Sequence, residues 1–343
     1  MKVSVVIPTY NDEGTIAATV ESALAQRFDG EFEVIVVNDG STDGTRAELA
    51  KFRDRIRVID QANRGVSAAR NAGIQAAAGE YIALLDGDDT WMDDKLAKTV
   101  PVLDKSPACV AVSSNVIGVD DAGREVSYPV TPEFRHSPTL DEMLDKLWAY
   151  LPSAVVIRRE TLLAIGGFSE EFKPEHYACE DTFIMLLVRE RGEITYVPDV
   201  LVRYRCREFH ARLANRLRSR RFEINSAQAF RDFERRYEAN IILARLAREH
   251  FGARGRKIAA LSIGGVAHEL IGVGLMAMHQ GDRTLARRSY RASIRYSPFM
   301  LKTYLRLGWA MLPGKAARML SPMFPPGLRR SLAGPPVMED RPQ

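Results

Sequence analysis

Four short apolar runs, each followed by a stretch of helical periodicity or a capping turn, fill residues 1–100: Val3–Ile7, Glu33–Val37, Arg55–Asp60 and Glu80–Leu85. Continuous runs of this kind are covered on both faces, as in a parallel sheet flanked by helices. Strand–helix alternation therefore predicts an α/β fold with a mainly parallel sheet. Helices are expected over Thr15–Gln26, from Thr45 to Phe52, from Asn63 to Gly79, and over Met92–Leu103. In such folds the binding groups collect beyond the carboxyl ends of the strands. Three polar turns fall there: Pro8–Asn11, Asn38–Ser41 and Asp86–Asp89.

The third turn is the densest in chemistry. Asp86 and Asp88 lie two apart and can point the same way, and Gly87 between them lets a bulky ligand approach the backbone. Two carboxylates on an open turn suit Mg²⁺ or Mn²⁺, which keep positions open for phosphate oxygens. The competing reading is a solvated acidic loop, with Asp89 or Thr90 as N-cap of the next helix.

Composition narrows the remaining choices. The three cysteines, Cys109, Cys179 and Cys206, form no CxxC pair, which points to a reducing compartment and away from a disulfide framework or zinc site. The apolar run at the N-terminus is too short for a secretion signal. Residues 1–200 hold 20 Lys and Arg against 34 Asp and Glu, net −14; residues 201–343 hold 28 against 10, net +18. Such asymmetry suggests two surfaces with different partners. There is neither a GxGxxG nor a GxxxxGK[ST] segment, so the nicotinamide and ATPase classes lack their signatures.

The motifs VSVVIPTYN, VIVVNDGSTDGT, RGVSAARNAG and YIALLDGDD stand in order within residues 3–89. Together they resemble the family 2 glycosyltransferases of GT-A fold. The resemblance implies an inverting transferase that uses a nucleoside diphosphate sugar, most simply a UDP-sugar, with Mn²⁺ or Mg²⁺. It implies that Pro8, Thr9 and Tyr10 line the base and ribose and that Asp39 accepts a hydrogen bond from either. Arg70 would lie near the base or diphosphate, with Asp86, Gly87 and Asp88 at the diphosphate and the two aspartates on the metal. Gly166-Gly167-Phe168 resembles the turn before the second acidic motif, Cys179-Glu180-Asp181. The resemblance makes Asp181 the general base and has Glu180 orient the acceptor or a neighbouring arginine. An acidic pair at a helix start also has a plain explanation in the helix dipole.

Val202–Arg207 resembles the family segment that commonly reads tyrosine, arginine, any residue, histidine. Here Arg207 stands at the histidine position, which leaves the third metal ligand open. An arginine there suits the diphosphate, and His210 could substitute only if the loop bends differently.

A strand is expected at Ala108–Ser113, a hairpin turn at Asp120–Arg124, a helix at Leu140–Trp148, a strand at Ala154–Ile157 and a helix at Asp181–Arg191. The expected division is a catalytic domain over 1–207, an α-helical region over 208–330 and a disordered tail over 331–343. Ile258–His279 reads as a buried helix, because His268-Glu269 lies at the centre of its apolar run. Thr284–Tyr296 and Phe299–Leu312 read as a helical hairpin. The expected acceptor is a sugar or lipid-linked hydroxyl in envelope glycan synthesis. The expected location is cytoplasmic, with an anionic membrane surface as a further partner. Nucleic acid is not expected, since no basic–aromatic interleaving accompanies the charge. The alternatives are a metal-dependent nucleotidyltransferase, a glycoside hydrolase and a non-catalytic helical interaction protein on a transferase scaffold.

Overall fold

The computed structural model describes residues 1–120, 122–126, 137–146, 150–172, 179–206, 226–256, scattered helical positions between 258 and 278, 281–296 and 301–312. The chain forms two compact units, Met1–Phe222 and Glu223–Gln343. The expected boundary at 207 falls among residues outside the described ones.

The first unit opens with β1 (Val3–Thr9), α1 (Ile16–Leu24), β2 (Phe32–Asn38), α2 (Thr45–Ala50), β3 (Arg57–Asp60), α3 (Val66–Ala76) and β4 (Tyr81–Leu84). β1, β2 and β4 carry the expected apolar runs, and β1 and β4 are buried at every position. They lie in the order β3-β2-β1-β4, all parallel. The helices pack close on this sheet: a Cβ added to Gly73 of α3 would run into Val6 of β1.

The chain continues through β5 (Thr90–Trp91), α4 (Lys95–Lys105), β6 (Cys109–Val119), β7 (Glu125–Val126), α5 (Leu140–Lys146) and a 3-10 turn at Pro152–Ala154. Then come β8 (Val155–Arg158), α6 (Arg159–Ala164), α7 (Glu180–Arg191) and β9 (Glu193–Arg205). β8 runs antiparallel between β4 and β6, and β9 pairs parallel with β6 and antiparallel with β5. The parallel sheet therefore extends into a mixed one of nine strands. The predicted hairpin at Asp120–Arg124 joins β6 to β7.

Two strands lie where none is expected from sequence, the two-residue β5 and the 13-residue β9. The core runs from Val5, Ile7 and Val36 in the sheet to Leu96 and Leu103 of α4.

In the second unit α8 (Ser226–Phe251) is followed by α9 (Arg283–Tyr296) and α10 (Leu301–Met311). α9 and α10 form the predicted hairpin around Leu285, Ala286, Tyr290 and Ala310. The Arg283 side chain donates to Trp309 O and Ala310 O, capping carbonyls at the far end of α10. No helix among the described residues is long and apolar enough to cross a membrane.

Candidate active site

From β1 the chain crosses to β2 on one side, while β4 lies on the other, so the strand order reverses between β1 and β4. Helices there cover opposite faces and leave a crevice beyond the strand ends, the usual ligand position in open α/β sheets. A cavity of about 200 Å³ occupies it, lined by the polar ends of both strands and by one face of α3. Pro8, Thr9, Tyr10, Asp39, Arg70, Asp86, Gly87 and Asp88 all line it, together with Asp12, Val66 and Ala69. The exposed Tyr10 ring, at 46 %, stands at the mouth.

The loop after β1 is held by Asp12, whose Oδ2 accepts from Thr9 Oγ1 at 2.9 Å and the Tyr10 N–H at 3.1 Å. This carboxylate also explains Gly87. A Cβ at Gly87 would lie 2.7 Å from Asp12 Oδ2 and 3.1 Å from Thr9 Oγ1. The missing side chain thus lets two protein loops close on each other, whereas the sequence suggested only room for a ligand.

Asp39, buried at the end of β2, accepts from Gln61 Nε2 at 2.7 Å, Arg64 N at 2.9 Å and Gly65 N at 2.8 Å. It thereby fixes the chain entering α3. Each carboxylate oxygen has two lone pairs, so a ligand donor can still be accepted on the cavity side.

The acidic turn is held from beneath. Gly87 O accepts from the Thr15 and Thr19 hydroxyls of the α1 region, each at 3.0 Å. The Asp86 N–H donates to Ser153 Oγ at 3.0 Å, and that hydroxyl donates to Asp89 Oδ2 at 2.6 Å. Asp89 Oδ1 accepts the Arg205 N–H at 2.8 Å. Asp89 is 1 % exposed, and α4 starts only at Lys95. It is therefore a buried anchor rather than the cap of a solvated loop. Burial, reinforced by the charges of Asp88 and Asp86, raises its carboxyl well above the usual range despite these bonds.

Arg70 joins this turn to the second acidic motif. It is 2 % exposed; Nη2 lies 2.7 Å from Asp86 Oδ1 and Nη1 lies 3.0 Å from Glu180 Oε1. Its guanidinium carbon lies 5.0 Å from the centre of the Phe168 ring, within cation–π range. Burial alone would lower its pKa, but the two carboxylates more than offset that and hold it firmly charged. Nε has no hydrogen-bond partner among the described residues. The next residue, Asn71, accepts the Phe168 N–H at 2.8 Å and donates to Phe168 O at 2.9 Å. Gly166 and Gly167 make this turn possible, with φ of 82° and 75°.

Glu180 and Asp181 form the first turn of α7, after Cys179 in the left-handed region at φ 85°. Asp181 Oδ1 accepts the Thr182 N–H at 2.6 Å. Burial, with the Glu180 charge adding to it, pushes the Asp181 carboxyl up to about 7, against the pull of Thr182 and Arg70. Asp181 is not among the residues lining the cavity; its helix reaches the cavity through Glu180 and Arg70.

Asp86 and Asp88 supply two hard oxygen donors on the cavity wall, a donor set that fits Mg²⁺ or Mn²⁺ completed by phosphate oxygens. Among the described residues no cluster of three or more His, Cys, Asp or Glu forms an all-protein metal cage. Arg207, His136, His176 and His210 lie outside the described residues. Asp12, Asn71 and Ser153 gained no separate role from sequence, and Asp89 only that of a helix cap in the competing reading. Only Asp12 had a local signal, an Asp three residues after a strand-end Thr in a polar turn.

A mixed α/β sheet with an acidic turn at the reversal of strand order gives the chain a GT-A fold. The fold is shared with S. aureus TarS 1–349, with a TM-score of 0.60 and 21 % identity over 97 % of this chain and 90 % of that one. Residues 4–165 match the family model described as Glycosyl transferase family 2. The succinoglycan biosynthesis protein ExoO of Rhizobium meliloti is 40 % identical over 46 % of this chain and 44 % of its own. The Escherichia coli UDP-Glc:alpha-D-GlcNAc-diphosphoundecaprenol beta-1,3-glucosyltransferase WfgD is 37 % identical over 30 % and 42 %. The chain spans about half the length of the curated relatives it matches.

Proposed function

We propose that this protein transfers a sugar from a UDP-sugar to an acceptor hydroxyl with inversion, in the assembly of an envelope glycan. The observation that carries the reading is the convergence of Pro8–Tyr10, Asp39, Arg70 and Asp86–Asp88 on one cavity beyond β1 and β4. WfgD, as its name states, uses a glucose nucleotide and a diphosphoundecaprenol-linked acceptor, which supports a UDP-sugar donor and a lipid-linked acceptor here.

In this reading Tyr10 covers the base and Asp39 accepts its N–H or a ribose hydroxyl. Asp86 and Asp88 would hold Mn²⁺ or Mg²⁺ on the diphosphate. When bound, the cation supplies charge neutralisation to the departing phosphate oxygen. Asp181 takes the proton from the acceptor hydroxyl. That oxygen forms its bond to the anomeric carbon while the bond to the diphosphate oxygen breaks on the opposite face, and the electron pair leaves with UDP. Glu180 is engaged by Arg70 at 3.0 Å, which favours Asp181 as the base. The basic second unit would face anionic lipid and bring the site to its acceptor.

The test is a thermal-shift screen of nucleotide sugars with and without Mn²⁺. Stabilisation by UDP and one UDP-sugar, dependent on the cation, is expected. Stabilisation by no nucleotide would overturn the reading.

A further inference from the structure

Arg70 bonds both acidic motifs, and it does so from a buried position. A guanidinium presents its donors as a rigid planar fork, so the two carboxylates are set at fixed positions relative to each other. Phe168 lies against the guanidinium and is itself fixed by Asn71, so the fork has little freedom to turn. With Nε unpartnered among the described residues, the hydrogen bonding of the charge rests on Asp86 and Glu180.

We infer that Arg70 is a positioning residue that couples cation and donor binding at Asp86 to the first turn of α7, with Glu180 as the other end of the link. This rests on the proposed reading of the cavity as a metal–nucleotide site. With Asp86 shared with a bound cation, its hold on Arg70 would weaken. Glu180 then compensates the buried guanidinium, which keeps the exchange inexpensive. Without the Glu180 charge, Asp86 is Arg70's one remaining carboxylate partner, and surrendering it to a cation leaves a buried charge poorly paired. A residue that touches neither the nucleotide nor the cation therefore tunes the affinity for both. Because Asp181 follows Glu180 directly, the same link holds the base in register with the donor site.

The experiment is calorimetric titration of the full chain with UDP in the presence of Mn²⁺, alongside urea unfolding of each variant. Glu180→Gln is isosteric and is expected to weaken Mn²⁺-dependent UDP binding roughly three- to ten-fold, toward the lower end of the range for coupled neighbours. Asp181→Asn removes the adjacent charge without breaking a bond to Arg70 and is expected to change it less than two-fold. In an Arg70→Lys background, where a point charge cannot fork to both acids, the Glu180→Gln effect should shrink below two-fold. Equal affinity for wild type and Glu180→Gln would overturn the coupling, as would an equal loss in Asp181→Asn. Should Arg70→Lys fail to fold, the comparison of Glu180→Gln with Asp181→Asn still decides. Absence of UDP binding by the wild type would remove the donor reading itself, and with it this coupling.

Discussion

Ser153 and Asp89 are joined by a 2.6 Å hydrogen bond beneath the acidic turn, and the same serine oxygen accepts the Asp86 N–H. The 3-10 turn before β8 thus serves as the floor of the candidate donor site. Trp91 Nε1 donates to Ser153 O at 2.8 Å and fixes the turn from the other side. Ser153→Ala leaves a buried carboxylate and a backbone N–H each short of a partner, at a cost of about 1–3 kcal/mol per group. Urea unfolding should show this loss, and Mn²⁺-dependent UDP affinity should fall with it. An unchanged midpoint would mean that the turn stands without Ser153.

Asp88 lies on the cavity wall two residues from Asp86, and the proposed cation needs both carboxylates. Asp88→Ala should abolish the Mn²⁺-dependent part of UDP binding in calorimetry. Undiminished binding would move the cation elsewhere.

How much of this could be read from sequence depends on how local each signal is. β1, β2 and β4 announce themselves because each apolar run is of strand length and ends in a polar turn. β9 does not, because Pro198, Asp199 and Val200 are exposed in its middle and its register with β6 shifts at Asn115. A bulged strand with an internal proline loses the pattern that identifies strands. The lining residues Pro8–Tyr10, Asp39 and Asp86–Asp88 were legible because they follow strand ends, whereas Arg70 on α3 came only from the resemblance. The pairing of Arg70 with Glu180 spans 110 positions, and no local pattern encodes it. The competing reading of Asp89 as the cap of a solvated loop fails for the same reason: three aspartates within four residues suggest solvent, whereas Ser153 and Arg205, distant in sequence, hold it buried.

Asp181 ties turnover to pH. Its carboxyl, raised to about 7 chiefly by burial, must be ionised to act as a base. Turnover should therefore rise with pH up to about 7 and level off above it. Asp181→Asn should lower turnover by about 10²–10⁴ and leave UDP affinity nearly unchanged. Stability carries the opposite sign. An acid whose folded pKa exceeds its unfolded value binds more protons when folded, so stability falls as pH rises between the two. The asparagine variant should lose that slope and melt higher than wild type above pH 7. A variant with full turnover would transfer the role to Glu180.

Lys95 gives a second pH signature with no part in the chemistry. Its ammonium is fully buried near Trp91, donates to Ala154 O at 3.0 Å, and is lowered by burial to about 7. Between about 7 and its unfolded value the unfolded chain binds the extra proton, so this residue makes stability rise with pH. Lys95→Met, which keeps the apolar stem, should flatten the slope and raise stability most at and below pH 7. Urea titrations at several pH values would show it. An unaltered slope would mean that Lys95 does not titrate in this interval.

Anionic lipid is a proposed partner of the second unit, testable at α9 and α10. On α10 the exposed residues include Tyr304, Leu305 and Met311, at 44 %, 49 % and 54 %. Tyr304 and Met311, seven residues apart, share one side of the helix, and Leu305 lies a quarter turn round from Tyr304. On α9, packed against it, Arg288, Arg291 and Arg295 are exposed. Exposed arginine, tyrosine and aliphatic side chains are the residue types of interfacial helices, and each cation near an anionic leaflet contributes about 1 kcal/mol. Three such arginines would support binding that is strong at low salt and lost as salt screens it. Sedimentation should therefore recover the protein with vesicles containing anionic lipid, and not with neutral vesicles. Changing the three arginines to glutamate should release it, and Leu305→Ser should weaken it while leaving UDP affinity unchanged. Protein that stays in the supernatant with anionic vesicles at low salt would remove the lipid surface as a partner, and the nucleotide site would stand unaffected.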